Sequence, residues 1–354
     1  MMDRLLSKLL TGGRLNREES RMLFDAVIRG EVSDVEIAAL LVALKLRGET
    51  AEEIAGAAQA LREGAREFPR PDYRFADIVG TGGDGASTIN ISTAATFVAA
   101  EAGLPVAKHG NRAASSRCGA ADLLECFGVK LDMEPVTARH LLDDIGVTFL
   151  FAPYYHKGIR HAMPVRKALA TRTMFNLLGP LVNPARPSIM LVGVYDYTLC
   201  TLVAETLRLL GCSRALVVNG LGLDEIALHG ETNAAELHED GEITTHHFTP
   251  LDFGVRKFPL SSIVGGTPED NEQAIRSVLG GRGDEAHAAA IAVNTGALLT
   301  LGGKVDSFKQ GFVLAMSILE SGKALERLET MARLSHQLSE TNGDAEGKTH
   351  ADAR

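Results

Sequence analysis

The sequence predicts an α/β protein: a small all-helical domain joined to a large α/β domain with a central, mostly parallel sheet. Three observations carry that prediction. Residues 1–72 are punctuated by helix-start signals and show no strand pattern. From Phe75 onward, short apolar runs alternate with helix-like stretches, the mark of α/β layering. The first of those runs breaks into a glycine-rich turn that opens a helix. At 354 residues the chain has room for two domains and a substantial core.

The helical region is the most regular. Asn16-x-x-Glu19, Ser33-x-x-Glu36 and Thr50-x-x-Glu53 are three capping-box starts spaced 17 residues apart. In each, the short polar side chain accepts from the N3 amide while the glutamate reaches back. Gly30 and Gly48 fall where C-terminal caps belong, and Ile37, Leu40, Leu41 and Leu44 mark one apolar helix face. Such short helices need a partner, either the rest of the chain or a second copy. Pro69-Arg70-Pro71 closes the region. A strand is then expected over 75–79, a helix to 102, a strand at 106–107, helices over 119–127 and 136–144, and a strand over 148–151. Residues 154–184 read as helical and cationic. Strands return at 189–194 and 215–218, followed by a hairpin around Asp240-Gly241 and a helical closing segment over 268–337. Residues 339–354 lack apolar periodicity and are expected to form a disordered tail.

Composition excludes several classes. A hydrophobic share of 45% with 23% charged residues is that of an ordinary soluble protein, and the net charge of −9 argues against a nucleic-acid surface. The longest run free of formal charge, Ala286 to Gly303, contains His287, Asn294, Thr295 and three glycines, which suits buried core rather than a membrane span. No signal-peptide pattern opens the chain, and the four cysteines form no C-x-x-C pair, so a cytoplasmic location without structural zinc is expected.

Four stretches carry chemistry. In Asp77-Ile78-Val79-Gly80-Thr81-Gly82-Gly83-Asp84-Gly85, four glycines fall within six residues, and a helix start follows at Asn90-Ile91-Ser92-Thr93. Strand, glycine turn and helix N-terminus together cradle an anion, most simply a phosphate ester. Gly80-x-Gly82-x-x-Gly85 also satisfies a dinucleotide fingerprint, but that fold needs a carboxylate after the next strand. This chain has Lys108-His109-Gly110-Asn111-Arg112 there, with Arg117 close behind, which reads as a loop whose cations add a second grip on an anion. Asp224-Glu225 follows a strand at the edge where open α/β sheets bind ligands, and would hold Mg²⁺ together with substrate phosphates. The fourth stretch runs from Pro164 to Pro184; Arg166 offers bidentate recognition of a carboxylate, and Gly179-Pro180 a bend to wall an aromatic slot. No nucleophile stands out. That absence suits a reaction in which the substrate carries its own leaving group and the protein positions and neutralises charge.

These stretches, with Arg172-Thr173-Met174-Phe175-Asn176-Leu177-Leu178-Gly179-Pro180-Leu181, resemble the motifs of anthranilate phosphoribosyltransferases over residues 3–335. The resemblance implies a nucleoside-phosphorylase-like fold and a homodimer. Residues 1–72 with about 157–188 would form the small dimerising domain on the acceptor side, and 73–156 with about 189–338 the large domain on the donor side. It implies that Gly80, Thr81, Gly82, Gly83, Asp84, Thr88, Asn90, Ser92, Thr93, Lys108, Cys118 and Ala120 hold phosphoribosyl pyrophosphate. Gly80, His109, Asn111, His156, Arg166, Gly179 and Pro180 would shape the anthranilate path, with Lys108, Arg166 and Asp84 catalytic. Ser92, Asp224 and Glu225 would bind two Mg²⁺ ions per subunit.

The pattern is departed from at His156-Lys157-Gly158-Ile159-Arg160, at Cys118 and Ala120 in place of serines, and at Ala170 in place of glycine. The first departure leaves another aromatic acceptor as an alternative. A non-catalytic nucleic-acid-binding relative would show eroded donor motifs and a basic surface, and the Arg166–Pro180 stretch disfavours a pyrimidine nucleoside phosphorylase.

Overall fold

The computed structural model describes residues 2–113 and 116–351, the side chains from 339 onward excepted. Helices α1 to α4 span Met2–Leu10, Arg17–Arg29, Asp34–Arg47 and Ala51–Glu63. All three predicted capping boxes close, each with its side chain and its glutamate reciprocally bonded. Glu53 does more than cap. Fully buried, it also accepts from Leu15 N at 2.8 Å and pairs with Arg47, fastening α4 to α3 and to the connection that leads into α2.

The α/β part follows as β1 (Ala76–Gly80), α5 (Ile91–Glu101), β2 (Val106–Gly110), α6 (Ala120–Cys126), α7 (Pro135–Ile145) and β3 (Val147–Phe151). The chain then leaves the sheet through α8 (Ala152–Tyr155), a 3-10 turn (Lys157–His161), α9 (Met163–Leu169) and α10 (Met174–Leu181). It returns as β4 (Ile189–Gly193), α11 (Leu199–Leu209), β5 (Arg214–Asn219), β6 (Thr232–Leu237) and β7 (Ile243–Phe248). Helices α12 to α15 close it over Pro268–Leu279, Glu285–Leu301, Phe308–Ser321 and Lys323–Ala351. The expected disordered tail falls on residues of which only the helical backbone to Ala351 is described; residues 352–354 lie outside the described ones.

The seven strands are ordered β3-β2-β1-β4-β5-β6-β7, parallel from β3 to β5, with the predicted hairpin added antiparallel at one edge. Strand order reverses between β1 and β4, so the carboxyl ends of these two strands form the switch point where such sheets open a crevice. Period-two alternation divides the core. Ile78, Leu191, Leu216 and Val218 face α5 and α13, whereas Met190, Val192, Ala215 and Val217 face α11 and the helical bundle. One apolar core therefore joins the bundle to a face of the sheet. Helix α13 is buried along nearly its whole length, as its charge-free sequence suggested, and no described helix is long and apolar enough to cross a membrane.

Candidate active site

Two glycines at the switch point decide what can gather there. Gly80 and Gly193 are register partners at the ends of β1 and β4. A Cβ on Gly80 would overlap the Asp224 carboxylate, and one on Gly193 the Asp224 backbone carbonyl. Glycine at both positions is what lets the Asp224 loop lie across the strand ends. Beyond Gly80, Gly82 and Gly83 take φ of +68° and +76°, a left-handed turn that side chains disfavour, and the Gly82 amide donates to Asp224 Oδ2 at 2.6 Å.

Asparagines that sequence reading passed over brace this loop. Asn219 Nδ2 donates to Val194 O at 2.7 Å while its Oδ1 accepts from Gly222 N at 3.2 Å. From α13, fully buried Asn294 accepts from Ile226 N at 3.1 Å. Their signal was available in principle, since a buried amide needs partners and so marks a fixed backbone. Only the fold says which backbone.

The result is an acidic floor. Burial pushes Asp224 up to about 6, helped by the Asp84 carboxyl beside it, and pushes Glu225 well above the usual carboxylate range, with Asp224 adding to the effect. Beneath them Asp77, fully buried in β1, is also raised to about 6 by burial. One cation answers these groups. Lys108, 3% exposed, donates to Ile78 O at 2.5 Å and Ser92 Oγ at 3.2 Å. Burial pulls its ammonium down, while Asp77, Glu225 and Asp224 pull the other way. Asn183, just past α10, donates to Asp77 Oδ2 and to Ala107 O, both at 2.8 Å, and so anchors the chain's return to the sheet on the strand that carries Lys108.

The cationic loop read from residues 108–117 needs correction. Lys108, His109 and Gly110 are β2 itself, not loop. Burial depresses His109 far below its usual range, with His156 next in effect, so His109 is neutral. Arg112 points to Asp122 and Glu125, at 3.1 and 2.7 Å, and exposed Arg117 does not line the cleft. Residues 114 and 115 of that stretch lie outside the described residues. Asn90, at the N-cap of α5, spends its side chain on protein: Nδ2 donates to Cys118 O at 3.1 Å and Oδ1 accepts from Asn271 at 2.8 Å. Cys118 is buried, which pushes its thiol up to about 12 and keeps it protonated.

Across the cleft the walls come from the segment between β3 and β4. Arg166 on α9 lies with its guanidinium 5.0 Å from the Phe175 ring centroid and 3.6 Å from Met163 Sδ. No carboxylate lies within ion-pair range of it among the described residues, and burial alone lowers its pKa. His156 stands edge-on to His109, centroids 5.2 Å apart, and burial lowers it to about 4. His109 hydrogen-bonds the Gly179 carbonyl, and His156 those of Leu61 and Val182. The Nε2 atoms of both rings, and Thr81 Oγ1, are buried without a partner. Lys157 and Arg160, from the departure noted above, stand on the same wall as Arg166. Gly158 within it is required locally, because a Cβ there would press on Ile28 at the end of α2.

One cleft of about 700 Å³ collects these groups. Every residue named from sequence as a donor, acceptor or metal position lines it: 80–84, 88, 90, 92, 93, 108, 109, 111, 118, 120, 156, 166, 179, 180, 224 and 225. Hard carboxylate oxygens facing one another, with a single ammonium between them, form a donor set that suits Mg²⁺. An unpaired guanidinium beside aromatic rings suits a planar carboxylate.

Comparison with known proteins gives a consistent result. Residues 3–65 match the helical bundle domain, and residues 72–325 the a/b domain, of the glycosyl transferase family. The chain is 54% identical over 336 residues to the anthranilate phosphoribosyltransferase of Aeromonas salmonicida, covering 95% of this chain and 99% of that protein. It is 55% identical over 327 residues to that of Pectobacterium atrosepticum, covering 92% of each. Among solved structures, the Thermus thermophilus anthranilate phosphoribosyltransferase superposes with a TM-score of 0.90 at 43% identity, over 94% of this chain and 99% of that one. The Saccharomyces cerevisiae enzyme in complex with PRPP and Mg gives 0.86 at 29% identity, over 95% and 98%. The same enzyme in complex with 4-fluoroanthranilate gives 0.84 at 29%, over 95% and 99%.

Proposed function

The chain belongs to the anthranilate phosphoribosyltransferases of the glycosyl transferase family and carries out their step of tryptophan biosynthesis, and we propose that it does so with the donor on the Gly80–Asp84 side of the cleft and the acceptor on the Arg166 side. The observation that carries this division is the charge contrast between the two walls: carboxylates around Lys108 on one, an unpaired Arg166 among neutral rings on the other.

On the donor side, the glycine turn and the first-turn amides of α5 take the phosphates. Asp84 with Asp224 on one hand, and Glu225 with Ser92 on the other, offer separate footholds for two Mg²⁺ ions. Mg²⁺ held there would neutralise the pyrophosphate and ease its departure. Lys108 donates to Ser92 Oγ and keeps that side chain oriented among the carboxylates. On the acceptor side, Arg166 fixes the anthranilate carboxylate, and Phe175, Gly179 and Pro180 confine the ring. The amine nitrogen then forms its bond to ribose C1 as the C1–pyrophosphate bond breaks, and the amine releases a proton. His109 and His156, neutral and with unpartnered Nε2 atoms, leave acceptors rather than positive charge beside the reacting amine.

A second copy of the chain covers the exposed apolar face of α1 and α3. Leu10, Val35, Val42 and Leu46 lie there, Leu46 81% exposed, on the side of α3 opposite the buried Ile37, Leu40, Leu41 and Leu44. The direct test of function is loss of anthranilate fluorescence when phosphoribosyl pyrophosphate and Mg²⁺ are added together. Turnover requiring both supports the reading; no turnover with both present overturns it.

A further inference from the structure

At the opposite end of the sheet from the cleft, the β6–β7 hairpin gathers three metal-binding side chains that take no part in the reaction above. Glu236 and His238 stand two residues apart and share a face of the sheet, while Thr244, opposite Glu236, and His246 extend that face on β7. Glu236 Oε2 lies 3.5 Å from His246 Nε2, and Glu236 Oε1 lies 3.7 Å from His238 Nδ1. One ligand atom from each of the three residues falls within 4.8 Å of the others. From these observations we propose a zinc-type site, in which Glu236, His238 and His246 bind one Zn²⁺ ion and leave a fourth position for water.

Spacing is the first argument. The 3.5 Å between Glu236 Oε2 and His246 Nε2 is long for a hydrogen bond but close to the edge of a tetrahedron around zinc, about 3.3–3.5 Å for bonds of roughly 2.0–2.1 Å, and His238 Nδ1 lies 3.7 Å from the other oxygen of the same carboxylate. Preset orientation is the second. The His246 ring stacks on Phe248 with centroids 5.3 Å apart and planes 12° from parallel, and Phe248 is itself wedged against Phe253 and Phe308. His238 Nε2 is tied to Thr244 Oγ1 at 2.7 Å, which leaves Nδ1 turned toward Glu236. A ligating histidine characteristically gives its other ring nitrogen to such a polar neighbour. Thr244 Oγ1 also lies 2.9 Å from His246 Nε2, a contact the metal would take over. Two imidazoles and one carboxylate select Zn²⁺ or another late first-row ion over Mg²⁺. Arg214, 3.3 Å from Glu236 Oε1, pairs with that oxygen and leaves Oε2 free for the metal. Glu236 is 15% exposed and each imidazole 34%, so the site is accessible without being fully solvated.

The test uses the full chain, stripped with a chelator and held in millimolar Mg²⁺ to occupy the carboxylates of the cleft. Zn²⁺ is titrated in competition with a chromophoric chelator. One equivalent should bind, with affinity falling about a hundredfold or more in His238→Ala and His246→Ala, and about tenfold in Thr244→Val. Glu225→Gln should leave it unchanged. Should a histidine variant fail to fold, Co²⁺ provides the second measurement: the visible band of a four-coordinate ion, present in the parent and lost in Glu236→Gln. Zn²⁺ affinity indifferent to the histidines and abolished by Glu225→Gln would place the metal in the cleft and overturn the proposal, as would no binding at all.

Discussion

Arg172 donates to the carbonyl of Gly83 while its guanidinium lies 4.1 Å from the ring centroid of Tyr195. The two bonded residues are 89 positions apart: one sits in the connection between α9 and α10, the other in the glycine turn after β1. A side chain from the connection between α9 and α10 thus holds the glycine turn after β1 in its left-handed conformation. Replacing Arg172 with Ala should raise the KM for phosphoribosyl pyrophosphate about tenfold, as expected for losing a charge-assisted hydrogen bond, with a smaller effect on the KM for anthranilate. Lysine should rescue little, because it cannot both stack on Tyr195 and reach the carbonyl as a planar fork. Steady-state kinetics with each substrate varied in turn reads the split.

Arg166 should show the opposite split. Arg166→Ala removes a guanidinium of the proposed acceptor wall that has no carboxylate partner among the described residues, so the KM for anthranilate should rise about tenfold to a hundredfold. The KM for the donor should move little, and equal effects on both would refute the assigned role.

The raised carboxyls of the floor make stability depend on pH in a defined direction. The folded chain holds Asp224 and Asp77 at about 6, above the ordinary 3.8, so folding favours their protonated forms. The stability this contributes is fully present below 3.8 and is lost as pH rises through 6. Mg²⁺ should relieve the repulsion between the ionised groups. Its effect on the thermal midpoint should therefore be larger at pH 7.5 than at pH 5, and absent in the double variant Asp224→Asn, Glu225→Gln. An equal effect at both pH values would contradict the coupling.

The apolar face of α1 and α3 predicts the oligomeric state. Leu46→Glu places a charge at the centre of the face that a second copy would bury, and should convert a dimer to monomers in light-scattering measurements without unfolding the chain. A mass unchanged by the substitution would remove that face from the interface.

Ala170 ends α9 at φ 46° and ψ 34°, the left-handed cap usually given to glycine. Ala170→Gly should relieve about 0.5–1 kcal/mol of strain, net of the extra freedom glycine gains in the unfolded chain, and raise the denaturant midpoint accordingly. A lowered midpoint would show that the strain is taken up elsewhere.

Residue patterns carried much of this architecture because they record local physics. The capping boxes at Asn16, Ser33 and Thr50 could be read directly, since each is complete within four residues. The β1–α5 turn was equally legible, because left-handed backbone favours glycine and Gly82 and Gly83 stand side by side. The reading of 108–117 as one loop of cations failed in part for the same reason in reverse, since Lys108 to Gly110 belong to β2 and Arg117 lies outside the cleft. Whether Lys108 stands exposed on a loop or is buried beside Asp224 and Glu225, and whether Arg112 is free or paired with Asp122, depends on neighbours that the local sequence does not specify.

By itself, then, the sequence determined the order of helices and strands, the left-handed glycine turn that opens α5 and the acidic identity of residues 224 and 225. Tertiary structure alone decided that Gly80 and Gly193 lie side by side to admit the Asp224 loop, that His109 is neutral, and that Arg166 stands unpaired. Backbone conformation is set largely by residues within a turn of one another, whereas charge state and partnership are set by burial and by groups brought together from distant parts of the chain. Those become definite only when the strands pair and the segment between β3 and β4 folds back over the switch point.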